Sequence, residues 1–259
     1  MPSIELITIS SVFILAATLA YKSSFLHNKK IGHISLLQIF YLVLAPGFLY
    51  TIIFSYILDV LARPLNRHIF LNDKLLTSLL LLSILYTYGG IAIHGLTKTL
   101  WAYFDETQKK SLLFKVNEYF HIELSHNLIF IGGLISATCF SLLELNHVSP
   151  YPQQSRLLII ILNGVFVGLA SIGSLSWYKR GGNLAWSDLK LFFFSLWTMI
   201  IIIFYAIKPY IKNVKAYPFT LTMLVAFFIL AALNIFLYVR KVKNKIEFVW
   251  KIPKRLFFD

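Results

Sequence analysis

The sequence predicts an all-α, polytopic membrane protein with about seven transmembrane helices. Two observations carry this. Apolar runs of about 20 residues recur along the chain, the length that crosses a hydrocarbon core of ~30 Å. Of the 259 residues, 58% are hydrophobic and only 14% are charged, whereas soluble domains carry about 25% charged residues.

The expected spans are 5–22, 35–60, 75–97, 126–146, 157–177, 189–208 and 217–239. The first begins without the basic stretch that opens a secretory signal, and its early charge is Glu5, so it reads as a retained helix. The second holds Pro46-Gly47, where a kink is expected, or alternatively a break into two re-entrant halves. The third ends in a polar turn at His94 and Lys98, and the fourth begins in another at His126. The fifth carries Gly164 and Gly168 at the spacing that lets helix backbones approach closely. That face packs either within the chain or against a second copy as a homo-oligomer. The sixth and seventh are plain apolar runs. No segment between spans is long enough for a soluble domain. The chain therefore divides into a membrane domain, 1–239, and a tail, 240–259.

Basic residues set the expected orientation. The segments 23–34, 98–125, 178–188 and 240–259, with Lys22 and Lys190, hold 17 of the 24 Lys and Arg. Lys and Arg collect on the cytoplasmic side. This places the N-terminus outside and the C-terminus inside, most naturally in the plasma membrane. The same rule accounts for the net charge of +13 without nucleic acid, for which no motif is present. The tail interleaves seven basic residues with Phe248, Trp250, Phe257 and Phe258. It is expected to lie on anionic lipids of the inner leaflet, each basic residue contributing about 1 kcal/mol. Trp101, Trp177, Tyr178, Trp186, Tyr210, Tyr217 and Tyr238 read as interfacial anchors.

Several activities are excluded. Cys139 is the single cysteine, so neither a disulfide nor a cysteine-based zinc site can form within one chain. The last span has no lysine for a retinal Schiff base. H-x-x-H-H boxes, H-E-x-x-H, G-x-S-x-G and a P-loop are missing. Ionisable residues avoid the middle of the spans, which disfavours ion transport.

Chemistry concentrates where the third span hands over to the fourth. His94 and Lys98 are four apart and share a helical face. Downstream, Glu118, His121, Glu123 and His126 form two Glu-x-x-His pairs. In an α-helix the pairs, five residues apart, would face directions about 140° different. A ferritin-like di-iron site, which needs them on separate helices, is therefore disfavoured. Antiparallel neighbours could still bring His94 against His121 or His126. These three histidines are candidate ligands for zinc or iron. With Glu118, Glu123 and Lys98 they are alternatively a metal-free acid–base site, the lysine or Arg180 holding an anionic head group. Glu144, His147, Arg63, Arg67 and His68 fall at the opposite ends of the spans and read as a solvated rim, with Glu144 and Arg63 or Arg67 as an ordinary ion pair.

Two function classes follow. One is an enzyme embedded in the membrane that acts on a lipid-type substrate at the cytoplasmic interface. The other is a non-enzymatic sensor, channel-like subunit or assembly partner in which the same cluster is a pairing network.

Overall fold

The computed structural model describes residues 3–22, 26, 29–32, 34–66, 71–101, 103–148, 156–176, 185–207 and 216–243. They form helices α1 (Ser3–Lys22), α2 (Leu36–Leu61), α3 (Asp73–Trp101), α4 (Leu112–Asn146), α5 (Leu157–Ser176), α6 (Ala185–Ile207) and α7 (Pro218–Lys243). Among the described residues α2, α3, α4 and the Pro218–Phe236 part of α7 are long and apolar enough to cross a membrane. The apolar stretches of α1, α5 and α6 are shorter, at Ile4–Ala20, Leu157–Gly173 and Phe192–Ile207. The architecture is that of an all-α integral membrane protein. Residues Arg67, His68, Arg180, Trp177, Tyr178, Tyr210 and the tail beyond Lys243 lie outside the described residues, as do the side chains of Trp186 and Tyr238.

A small hairpin precedes α2, with β1 (Lys30–Ile31) antiparallel to β2 (Ile34–Ser35). Its two-residue loop starts at Gly32, whose φ of 61° is the left-handed region that favours glycine. Ser35 then caps α2 through a reciprocal capping box with Gln38. The Gln38 amide donates to the Thr99 hydroxyl at 3.0 Å, tying the start of α2 to the end of α3.

Both α2 and α4 contain one wide π-helical turn, at Phe40–Leu44 and Phe120–Leu124. In α2 the turn lies just before Pro46. Proline lacks an N–H and its ring crowds the carbonyl four residues back, here Leu42. The wide turn accommodates both defects, so 36–61 is one helix with a local irregularity rather than two re-entrant halves.

Helix α4 begins at Leu112, well before the expected 126. Ser111 caps it, its hydroxyl accepting from the Phe114 amide at 3.2 Å. Lys115, Asn117, Glu118, His121 and Glu123 interrupt the apolar run here, which is why hydropathy conceals the first turns. At 35 residues the helix is about 52 Å long, well beyond a ~30 Å hydrocarbon core.

Glycines set the two closest helix contacts. A Cβ on Gly90 would lie 2.7 Å from the Ser125 carbonyl, and one on Gly132 would lie 2.4 Å from the Thr87 hydroxyl, so α3 and α4 touch backbone to backbone. Gly164 and Gly168 face α7 in the same way: a Cβ there would meet the Thr222 carbonyl at 2.7 Å and the Ala226 carbonyl at 3.0 Å. Of the two packings expected for this glycine face, within the chain or against a second copy, the described residues contain the one within the chain.

The apolar core is off-centre. Val60, Leu76, Leu80, Leu143, Leu145 and Ile202 are its most buried members, and all lie toward the end of the bundle where α4 finishes. The same end corrects the solvated-rim reading. Glu144, Asn146 and His147 are buried. The Glu144 carboxylate accepts from the Tyr56 hydroxyl, the Phe219 amide (3.2 Å), and the Thr220 amide and hydroxyl (both 2.8 Å). Arg63 pairs with Asp59 instead. Asn146 donates to the Leu71 carbonyl (2.7 Å) and Asp73 (2.8 Å) and accepts from Tyr205 (2.6 Å). His147 bonds the Arg63 carbonyl through Nδ1 (2.8 Å) and Asp73 through Nε2 (3.1 Å). An antiparallel bridge between Leu65 and His147 completes the knot. Tyr217, expected as an interfacial anchor, is buried beside it and accepts from Asn66 at 3.4 Å.

Candidate functional site

The other end of α3 carries the histidines. From Asp73 to His94 is 21 residues, about 31 Å of helix, close to a full hydrocarbon thickness. The site and the Glu144 knot are therefore separate.

His94, His121 and His126 come together. The His94 and His121 rings stack with centroids 4.3 Å apart and planes 21° apart. His126 lies 5.0 Å from His94 and 6.3 Å from His121. The π-turn makes this convergence. Its i→i+5 bonding places residues five apart nearly above one another, so His121 and His126 share the face toward α3, where a regular α-helix would separate them. Gly90 lets that face approach closely. On the other flank, a Cβ on Gly95 would lie 2.2 Å from Leu42 Cδ2, so the wide turn of α2 seats Leu42 against α3 directly beside His94.

Local hydrogen bonds orient the rings. His126 Nδ1 lies 2.7 Å from the Ile122 carbonyl. A carbonyl only accepts, so Nδ1 carries the hydrogen and Nε2 is left as the lone-pair nitrogen of the neutral ring. The Thr97 hydroxyl donates to the Ile93 carbonyl at 2.7 Å. Its oxygen can then accept from His121 Nδ1 at 3.1 Å, which again leaves Nε2 with the lone pair. Asn117 braces the arrangement by donating to the Thr97 carbonyl at 3.1 Å. The Ser125 hydroxyl takes the His121 carbonyl in the π-turn. His94 Nδ1 is buried with no hydrogen-bond partner among the described residues. Trp101 stands edge-on to His121 at 5.8 Å and to Phe114 at 6.0 Å, forming an aromatic wall.

Lys98 is half-buried one turn beyond His94 and acts electrostatically on both His94 and His121. Glu118 and Glu123 are exposed. The Glu-x-x-His spacing therefore does not pair each acid with its histidine: the histidines turn inward and the carboxylates outward. Among the described residues no group of three His, Cys, Asp or Glu is arranged to hold a metal ion. Stacking explains this for the triad. Ring lone pairs lie in the ring planes, so those of His94 and His121 run side by side instead of meeting at one point.

Thr97, Asn117 and the Ile122 carbonyl were not among the sequence candidates. Asn117 stands one helical turn before His121, a spacing that could have marked it. Thr97 acts from the neighbouring helix and leaves no such signal.

Outside the helices, the loop before α4 is pinned by Asp105, whose carboxylate accepts from the Thr107 hydroxyl (2.6 Å) and the Gln108 amide (2.7 Å). These bonds hold its pKa below the usual aspartate range.

Compared with protein-family models, with curated proteins and with solved structures, the chain matches none of them.

Proposed function

We propose that this integral membrane protein is an enzyme that acts on a lipid-type substrate, with His94, His121 and His126 as its acid–base groups. The observation that carries the reading is the convergence of three imidazoles from two helices around a buried His94 Nδ1 that has no hydrogen-bond partner among the described residues. A neutral imidazole offers one donor and one acceptor. His121 has Nδ1 held by the Thr97 hydroxyl, which leaves its Nε2 lone pair to take a proton from a substrate group. Thr97 and the Ile122 carbonyl are positioning groups in this scheme. Lys98 supplies fixed positive charge, and Glu118 and Glu123 have no catalytic part.

The lipid character of the substrate is supported by the surroundings. Leu96, two residues from His94 on α3, is 61% exposed. Exposed leucines within a membrane span face acyl chains, so a substrate tail has a route to the site. In the same proposal the chain crosses the plasma membrane seven times, N-terminus outside, with the site at the cytoplasmic interface and the 240–259 tail on anionic inner-leaflet lipids.

The test is product formation. The protein is purified into nanodiscs of mixed cellular lipids, incubated, and the lipids are profiled by mass spectrometry beside His94→Ala and His121→Ala variants. A species that appears with the parent protein and falls by about 100-fold or more in the variants, the range of general acid–base effects, is expected. An unchanged lipid profile with the parent protein would sink the enzymatic reading and favour the pairing-network alternative, to which the Thr97–His121 and Ile122–His126 bonds lend support.

A further inference from the structure

We infer that the face formed by His94 and Lys98 binds a phosphate group, so that the substrate of the proposed site is a phosphorylated amphiphile. This rests on the reading of the triad as a substrate site and narrows it to one chemical class.

Three features converge. First, His94 Nδ1 is buried with no hydrogen-bond partner among the described residues, and a buried polar atom left unsatisfied is costly. A ligand that accepts a hydrogen bond there removes the cost. Second, the groups gathered at this point are bases: three imidazoles within 6.3 Å of one another, and Lys98 near enough to act on two of them. The two carboxylates of the segment, Glu118 and Glu123, are exposed. Lys98 is the charged member of this set, and the complement to its charge is an anion. Third, the kind of donor favours phosphate over carboxylate. Lysine binds as a point charge with three rotatable donors, suited to a tetrahedral oxyanion, whereas planar carboxylates are matched best by the arginine fork.

In this arrangement His94 Nδ1–H and the Lys98 ammonium donate to phosphate oxygens. Trp101 closes one side. The acyl chain leaves past Leu96, which is exposed on α3 two residues from His94. The head is thereby held beside the Nε2 atoms of His121 and His126.

The experiment measures equilibrium binding to the full chain in uncharged maltoside micelles. The probes are a lysophosphatidate, the monoacylglycerol of the same chain length, the matching fatty acid and inorganic phosphate. The lysophosphatidate is expected to bind at least about tenfold more tightly than the monoacylglycerol, the worth of one charge-assisted hydrogen bond. Lys98→Met and His94→Phe are expected to erase that preference, and Lys98→Arg to keep most of it. The comparison of probes on the parent protein needs no variant, so it stands even if a variant fails to fold. Competition by inorganic phosphate would identify the free anion as sufficient. Binding of lysophosphatidate without such competition would identify a lipid head group. Equal affinity for lysophosphatidate and monoacylglycerol, or a preference for the fatty acid, would overturn the phosphate inference while leaving a lipid site. Failure of every amphiphile to bind would overturn both.

Discussion

At Glu144 four donors meet one carboxylate, and two of them are the first backbone amides of α7. An acidic residue at a helix N-terminus satisfies donors that the helix itself cannot, and it complements the helix dipole. The unusual point is that the acid comes from another helix, so one side chain joins α4, α2 and α7. Removing it leaves buried donors without an acceptor. Glu144→Ala is expected to cost about 3 kcal/mol or more, and Tyr56→Phe about 1 to 2 kcal/mol, both read as a lower unfolding midpoint in detergent. Asp105 offers a milder case outside the helices. Its pKa is lowered by the bonds it accepts, so its contribution is present at neutral pH and fades as pH falls through that lowered value. Amide exchange at Gln108 should accelerate only in acid, and Asp105→Ala should remove the pH dependence. The residue types of Glu144 and Asp105 were plain in the sequence. Which one is buried was not, because burial depends on partners far along the chain.

Helices α2 and α4 share a design in which a serine cap is followed by a wide turn, and both turns press on the last third of α3. The turn in α4 decides what the site contains. With regular α-helical pitch, His121 and His126 would point about 140° apart. With the π-turn they face α3 together. Deleting one residue of the turn, for example Glu123, should restore regular pitch while leaving the two histidines four apart, about 40° from each other, so the rings stay on one face. Retained lipid binding with a largely retained unfolding midpoint is the expected outcome, and loss of binding would show that the wide turn itself is needed to position the rings. The glycines give a matched pair of tests for helix approach. Gly132→Ala places a methyl 2.4 Å from the Thr87 hydroxyl, whereas a Cβ on its neighbour Gly133 meets nothing within 4 Å. The first change should cost about 1 to 3 kcal/mol through overpacking. The second should be neutral or stabilising by up to ~1 kcal/mol through helix propensity.

Across the whole molecule the two polar clusters sit at opposite ends of α3, with the tight apolar core beside the Glu144 knot. One end is thus built for stability, and the histidine end holds a buried ring nitrogen with no partner among the described residues. The proposed orientation can be read directly, because Cys139 is buried and single cysteines introduced elsewhere label against a low background. Lys109→Cys should react with an impermeant maleimide only from the cytoplasmic side of intact cells, and Leu65→Cys only from outside. The opposite pattern would invert the topology. By itself, the sequence determined that the chain is helical and apolar enough for a membrane, roughly where its helices run, and that His94, His121 and His126 are the residues to watch. These follow from composition and run length, which are local. Only the tertiary structure decided that the three rings meet, that Glu118 and Glu123 turn away, that Gly164 and Gly168 pack against α7, and that Glu144 is buried. Each of those depends on helical pitch at a π-turn or on a neighbour more than twenty residues distant, and neither is written in the spacing of residues along one helix.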